Sequence, residues 1–101
     1  MIRHVVMFKF LETAEGRSKQ ENLDIARGML EKLQGVVPTL RASEIHYNHA
    51  QAADSNYDMI LIADFDDLEG LNQYIVHPDH KAVGAFMQGV RESRTCVDFE
   101  F

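Results

Sequence analysis

One cysteine, Cys96, is all the thiol chemistry in the 101 residues. No intramolecular disulfide can therefore staple the chain, and a reducing compartment is the simplest setting. The six glycines are nowhere grouped into a phosphate-cradling loop, and no GxSxG elbow or dinucleotide fingerprint occurs. CxxC and HExxH spacings are missing too, which removes the common zinc frameworks, so no metal and no cofactor are expected. Basic residues number 10 against 16 acidic ones, for a formal charge of −6, and they lie scattered without interleaved aromatics. Such a chain does not neutralise phosphates, so neither nucleic acid nor an anionic membrane is expected as a partner. No apolar run approaches the length of a membrane span. The opening HVVMFKF lacks a small-residue cleavage site after it and reads as a strand, not a signal peptide, so a cytoplasmic location is expected.

What is present is the make-up of one small globular domain over residues 1–101, with 46% apolar and 26% charged residues. RHVVMFKF, residues 3–10, puts His4, Val6, Phe8 and Phe10 on one strand face and Val5, Met7 and Lys9 on the other. Ser18 and Glu21 have capping-box spacing, and Leu23, Ala26, Leu30, Leu33 and Val37 then recur at helical intervals towards Gly35 and Pro38. A polar strand is expected over 40–49 and a fully covered one over 57–65, YDMILIADF. DDLEGLNQYIV reads as a short helix, broken at His77-Pro78 and resumed with Val83, Phe86, Met87 and Val90 on its apolar face. The chain ends in an alternating strand, with Thr95, Val97, Phe99 and Phe101 opposite Arg94, Cys96, Asp98 and Glu100.

The order β-α-β-β-α-β is that of a ferredoxin-like α+β protomer, a four-stranded antiparallel sheet with helices on one face. The first and third strands are apolar on both sides, so the helix-free face also calls for cover. A second copy of the chain supplies it most economically, closing a homodimeric α/β barrel.

The segment Tyr74-Ile75-Val76-His77-Pro78-Asp79-His80 concentrates phenol and imidazole at a bend. Tyr74 borders the Leu71 stripe and His80 the Val83/Met87 stripe, so both can be directed into one apolar hollow. There an imidazole titrating near neutrality and a phenol donating to an oxyanion suit proton transfer. The competing reading is structural, with histidines capping helix N–H groups and Tyr74 as core. His4, on the strand face of Val6 and Phe8, divides the same way between a place in the hollow and a satisfied core role. His46 and His49 fall on opposite strand faces and do not pair as metal ligands. Cys96, with no helix N-terminus beside it, reads as core, not nucleophile. Asp64, Asp66, Asp67 and Glu69 read as a solvated rim at a helix start.

RHVVMFKF, YDMILIADFDDLEGLNQYIVHPDHKAV and VDFEF together resemble the stress-responsive A/B-barrel (Dabb) family across nearly the whole chain. The resemblance implies a protomer that dimerises through its sheet, in a family whose members mostly lack an established activity. It also implies a ligand pocket at His4, Tyr74, His77 and His80. In polyketide cyclases of the olivetolic acid cyclase type, which need no cofactor, the catalytic tyrosine and histidine match Tyr74 and His80, and a first-strand histidine matches His4. Asp58 departs from that pattern, standing where the cyclase has a third-strand histidine, a change expected to alter the pocket's polarity. Two function classes lead: a non-enzymatic barrel that binds a small apolar or aromatic metabolite or acts as a stress-response module, and a cofactor-independent proton-transfer enzyme. A haem or oxygenase role, as in other dimeric-barrel families, is a third, and the absence of tryptophan disfavours the haem-degrading relatives that use one.

Overall fold

The computed structural model describes residues 1–101. β1 (Ile2–Phe10) leads into a tiny hairpin, β2 (Thr13–Ala14) and β3 (Arg17–Ser18), then α1 (Lys19–Glu31), β4 (Ala42–Tyr47) and β5 (Met59–Phe65). α2 (Leu68–Val76), α3 (Pro78–Val90) and β6 (Arg91–Glu100) complete the chain. The main sheet runs β4-β5-β1-β6, antiparallel throughout. This is the expected ferredoxin-like fold, with α1, α2 and α3 on one face.

β1 lies in the middle, and its register fixes both faces. His4 stands opposite Ala63 of β5 and Asp98 of β6, and Val6 opposite Leu61 and Cys96, all facing the helices. Val5 stands opposite Ile62 and Val97, and Arg3 opposite Asp64 and Phe99, on the helix-free face. The helix side carries the core: Val6, Phe10, Met59, Leu61, Phe65, Ala26, Leu30, Val83 and Val90 are all buried. The other side leaves Met7, Val97 and Phe99 exposed, with Val5, Ile60 and Ile62 half-buried.

α1 opens as expected, with Ser18 Oγ accepting from the Glu21 N–H and the Glu21 carboxylate accepting from the Ser18 N–H. It ends earlier than the periodicity predicts, at Glu31. Leu33 and Val37 lie in the turns that follow and are buried nonetheless, so the apolar spacing reports burial beyond the helix's own end. Gly35, at φ 96°, supplies a left-handed turn there. The β2–β3 hairpin has no pattern long enough to read. Its turn is Glu15-Gly16, with φ of 54° and 73°, the positive pair that a two-residue type I′ turn requires. β4 is also shorter than expected, leaving His49 in the following loop.

Asn22, fully buried on α1, ties the hairpin down. Its side-chain oxygen accepts from Arg17 Nε at 2.7 Å, and its amide donates to the Ala14 carbonyl at 3.1 Å. Removing that amide strands two partners, which costs about 1–3 kcal/mol. Asn22→Ala is expected to lower the urea midpoint accordingly at fixed protein concentration, whereas Ser18→Ala costs about 1 kcal/mol.

Candidate functional site

Tyr74 sits in the last turn of α2 and is 1% exposed, deeper than a residue bordering the apolar stripe. Its ring packs on Phe65 at 5.0 Å between centroids, on His80 at 4.4 Å and on His4 at 6.3 Å. Three residues from three different elements thus meet around one phenol. No protein group accepts a hydrogen bond from its hydroxyl. Since no fully occluded side-chain polar atom in the chain lacks a partner, that hydroxyl must keep a little accessible surface. Burial pushes the Tyr74 pKa up, so it stays a protonated donor at physiological pH.

The His77-Pro78 bend makes this meeting possible. His77 is extended, at φ −61° and ψ 135°, so it closes α2 and caps α3, with Pro78 in the first turn. Its Nδ1 accepts from the Asp79 N–H at 3.1 Å. His77 is therefore the capping histidine; of the expected pocket set His4, Tyr74, His77 and His80, only His4 and His80 line the cavity, and Tyr74 reaches it only through its ring contacts with them. In the next turn, the Ile75 carbonyl lies 3.2 Å from His80 Nδ1. A carbonyl only accepts, so Nδ1 carries the proton and Nε2 keeps the lone pair. Burial is the main cause that lowers the His80 pKa, which leaves the imidazole neutral and available as a base at pH 7.

His80 and His4 line a cavity of 130 Å³ between sheet and helices, walled by Val6, Phe8, Leu61, Val83 and Met87. Gln88, Arg91 and Arg94 line it as well. His4 is 4% exposed and also held: its Nδ1 lies 2.5 Å from Asp98 Oδ1. Both readings of His4 therefore hold, since it is satisfied and it lines the hollow. Cys96 shares the corner, with Sγ 3.4 Å from His4 Nδ1. Burial first, and the Asp98 carboxylate next, push its thiol pKa up, so it is no activated nucleophile.

Asp58 does not set the polarity of this cavity. Its carboxylate accepts from the Phe10 N–H at 2.7 Å and pairs with Lys19 at 3.5 Å, clamping the end of β1 to α1. A larger hollow of 540 Å³ opens at the far end of β5 beside His46, His49 and Tyr57. Its histidines are engaged locally, His46 by Glu44 and His49 by the Gln51 N–H, whereas the smaller cavity is where buried titratable groups converge. Asp66 and Asp67 serve local structure, Asp66 paired with Arg41 and Asp67 capping α2 through the Gly70 N–H. The corner of His4, Cys96 and Asp98 was missed by motif spacing, because His4 lies 94 residues from Asp98 in sequence. The available signal was the i, i+2 placement of Cys96 and Asp98 on one face of an edge strand.

Comparison with known proteins settles the family. The model for the stress-responsive A/B barrel domain, Dabb, matches residues 2–101. The chain belongs to the Dabb family. An uncharacterised protein of Streptomyces coelicolor is 34% identical over 103 residues, covering all of both chains. A dimeric ferredoxin-like protein of unknown function from Bacteroides fragilis superposes with a TM-score of 0.87 at 28% identity, over 99% of this chain and 95% of that one. A hydroxynitrile lyase from Passiflora edulis gives a TM-score of 0.81 at 11% identity, over 97% and 90% of the two chains, a likeness of fold alone. No helix of this Dabb domain is long and apolar enough to cross a membrane.

The His80 environment has a pH consequence. A histidine whose folded pKa lies below its unfolded value binds its proton more readily in the unfolded chain. Its contribution to stability is therefore complete above about pH 6.5, falls as pH drops through that value, and levels off below the folded pKa. His80→Gln is expected to flatten that part of the stability–pH curve, and an NMR titration of His80 should give a midpoint below 6.5.

Proposed function

We propose that this Dabb domain works as a homodimer that binds a small aromatic metabolite in the cavity between its helices and its sheet. The observation carrying the ligand reading is a hollow of 130 Å³ lined by His80 and His4 together with Val6, Phe8, Leu61 and Met87, with the buried Tyr74 ring packed against both histidines from behind. An apolar cavity of about 150 Å³ holds benzene, whereas drug-sized ligands use roughly 300–1,000 Å³, so the occupant is a single ring. Arg91 and Arg94 in its lining favour a carboxylate or carbonyl substituent.

Gly84 lines the cavity, and a Cβ placed there meets nothing within 4 Å. Gly84→Leu is therefore expected to fill the hollow and to gain about 0.8 kcal/mol of helix propensity. Ligand-observed fluorine NMR with 4-fluorobenzoate and 4-fluorobenzaldehyde tests this. Binding by the native chain and none by Gly84→Leu supports the reading; no binding, or equal binding by the variant, refutes it.

The dimer reading rests on the helix-free face, where Val5, Ile60, Ile62, Val97 and Phe99 lie unpartnered around the Arg3–Asp64 ion pair, and on the dimeric Bacteroides fragilis relative. Sedimentation at micromolar concentration should give a dimer for the native chain and a monomer for Ile62→Glu. A stable native monomer would sink this half of the proposal.

One observation favours a second reading, a cofactor-independent proton-transfer enzyme: a neutral imidazole base and a protonated phenol with rings 4.4 Å apart. His80 would abstract a proton from a carbon next to a carbonyl, and Tyr74 would donate to the enolate oxygen. Turnover of small β-dicarbonyl substrates should fall at least about a hundredfold in His80→Ala. Equal turnover by both proteins would remove this reading and leave ligand binding alone.

A further inference from the structure

At the β6 edge, on the helix side of the sheet, three different donor types converge: His4 Nδ1, Cys96 Sγ and an Asp98 carboxylate oxygen, all within 4.8 Å of one another. We infer that this corner is a binding site for one zinc-like divalent ion, held by His4, Cys96 and Asp98.

The argument is geometric. With Zn–S of about 2.3 Å and Zn–N and Zn–O of about 2.0–2.1 Å, the donor–donor edges of a tetrahedron come to roughly 3.3–3.6 Å. Cys96 Sγ lies 3.4 Å from His4 Nδ1 and 3.6 Å from Asp98 Oδ1, so two of the three edges already fit. The third, Nδ1 to Oδ1, is a direct hydrogen bond of 2.5 Å, with a proton between the two atoms. Replacing that proton by an ion requires the pair to open by roughly 0.8 Å to reach the tetrahedral edge. The Asp98 side chain, 38% exposed, has room to make that movement. The backbone under all three is fixed by sheet register, which sets His4 against Asp98 and Val6 against Cys96.

The donor set also selects the ion. Thiolate with imidazole suits zinc and its softer neighbours, while magnesium and calcium take oxygen ligands. A thiolate and a carboxylate bring two negative charges against the ion's two positive ones, so the site closes neutral. Arg94, two residues from Cys96 on the same strand face, opposes any excess of positive charge. Three protein ligands leave a fourth position on the accessible Asp98 side for water. Coordination through Nδ1 leaves the N–H of His4 on Nε2. This inference shares His4 with the ligand cavity but does not depend on Tyr74 or His80.

Titration of the reduced, chelator-treated full chain with cobalt(II) tests it, because a bound thiolate gives a sulfur-to-cobalt charge-transfer band. The expected result is a band saturating at one ion per chain, erased by zinc, lost in Cys96→Ala, and with affinity weakened at least about tenfold in Asp98→Asn. Circular dichroism checks that each variant is folded; Cys96 is only half-buried, so its alanine variant should be. The absence of the band at tenfold excess of cobalt overturns the inference. So does a band unchanged in both Asp98→Asn and His4→Gln, since that would be a simple thiolate adduct.

Discussion

β1 is hydrogen-bonded along both edges, to β5 and to β6, and apolar on both faces. Everything else is arranged around that strand. Its even-numbered side chains must be covered by the chain's own helices, and they carry His4 into the core beside Val6. Its odd-numbered side chains, Val5 and Met7, join Ile60, Ile62 and Val97 on a face that no element of the chain covers. Because side chains alternate with a period of two, a one-residue slip would expose the core and bury Arg3 and Lys9. The register that makes the fold is thus the same register that brings His4 to Asp98.

The His77-Pro78 break does for the helices what register does for the sheet. On an unbroken helix, residues 74 and 80 would be about 120° apart around the axis and about 9 Å along it. Their rings could not meet at 4.4 Å. Pro78 disfavours the α conformation at His77, which is extended, so the chain turns and α3 returns His80 over the ring that α2 has just buried. One imidazole, His77, caps the new helix, and the next, His80, faces the cavity.

Strand alternation, the Ser18 capping box and the proline break were all legible in the residues, because each is a local rule acting within a few positions. So was the two-faced apolar character of β1 and β5. What escaped depended on longer distances or on shorter segments. The end of α1 could not be placed, since Leu33 and Val37 keep helical spacing while packing from turns. The β2–β3 hairpin is shorter than any periodicity. The places of Asp58 and His77 could not be read from the residues, because a carboxylate or an imidazole clamps backbone N–H groups as readily as it lines a pocket. Only the third dimension tells the two apart. Cys96 and Asp98 could be put on one strand face, but their meeting with His4 required the β1–β6 pairing.

The three histidines of this region differ in what binds Nδ1, and that difference separates their chemistry. At His77 the ring nitrogen accepts from a backbone N–H, so its lone pair is consumed. At His80 the nitrogen donates to a carbonyl, which fixes the tautomer without supplying any charge, and burial then holds the ring neutral. At His4 the nitrogen faces a carboxylate, with a thiol beside it. A carbonyl on a buried ring favours the uncharged form, as at His80, whereas the His4 ring faces a charged carboxyl group. His80 and His4 therefore sit in different electrostatic settings, although both line one cavity of 130 Å³.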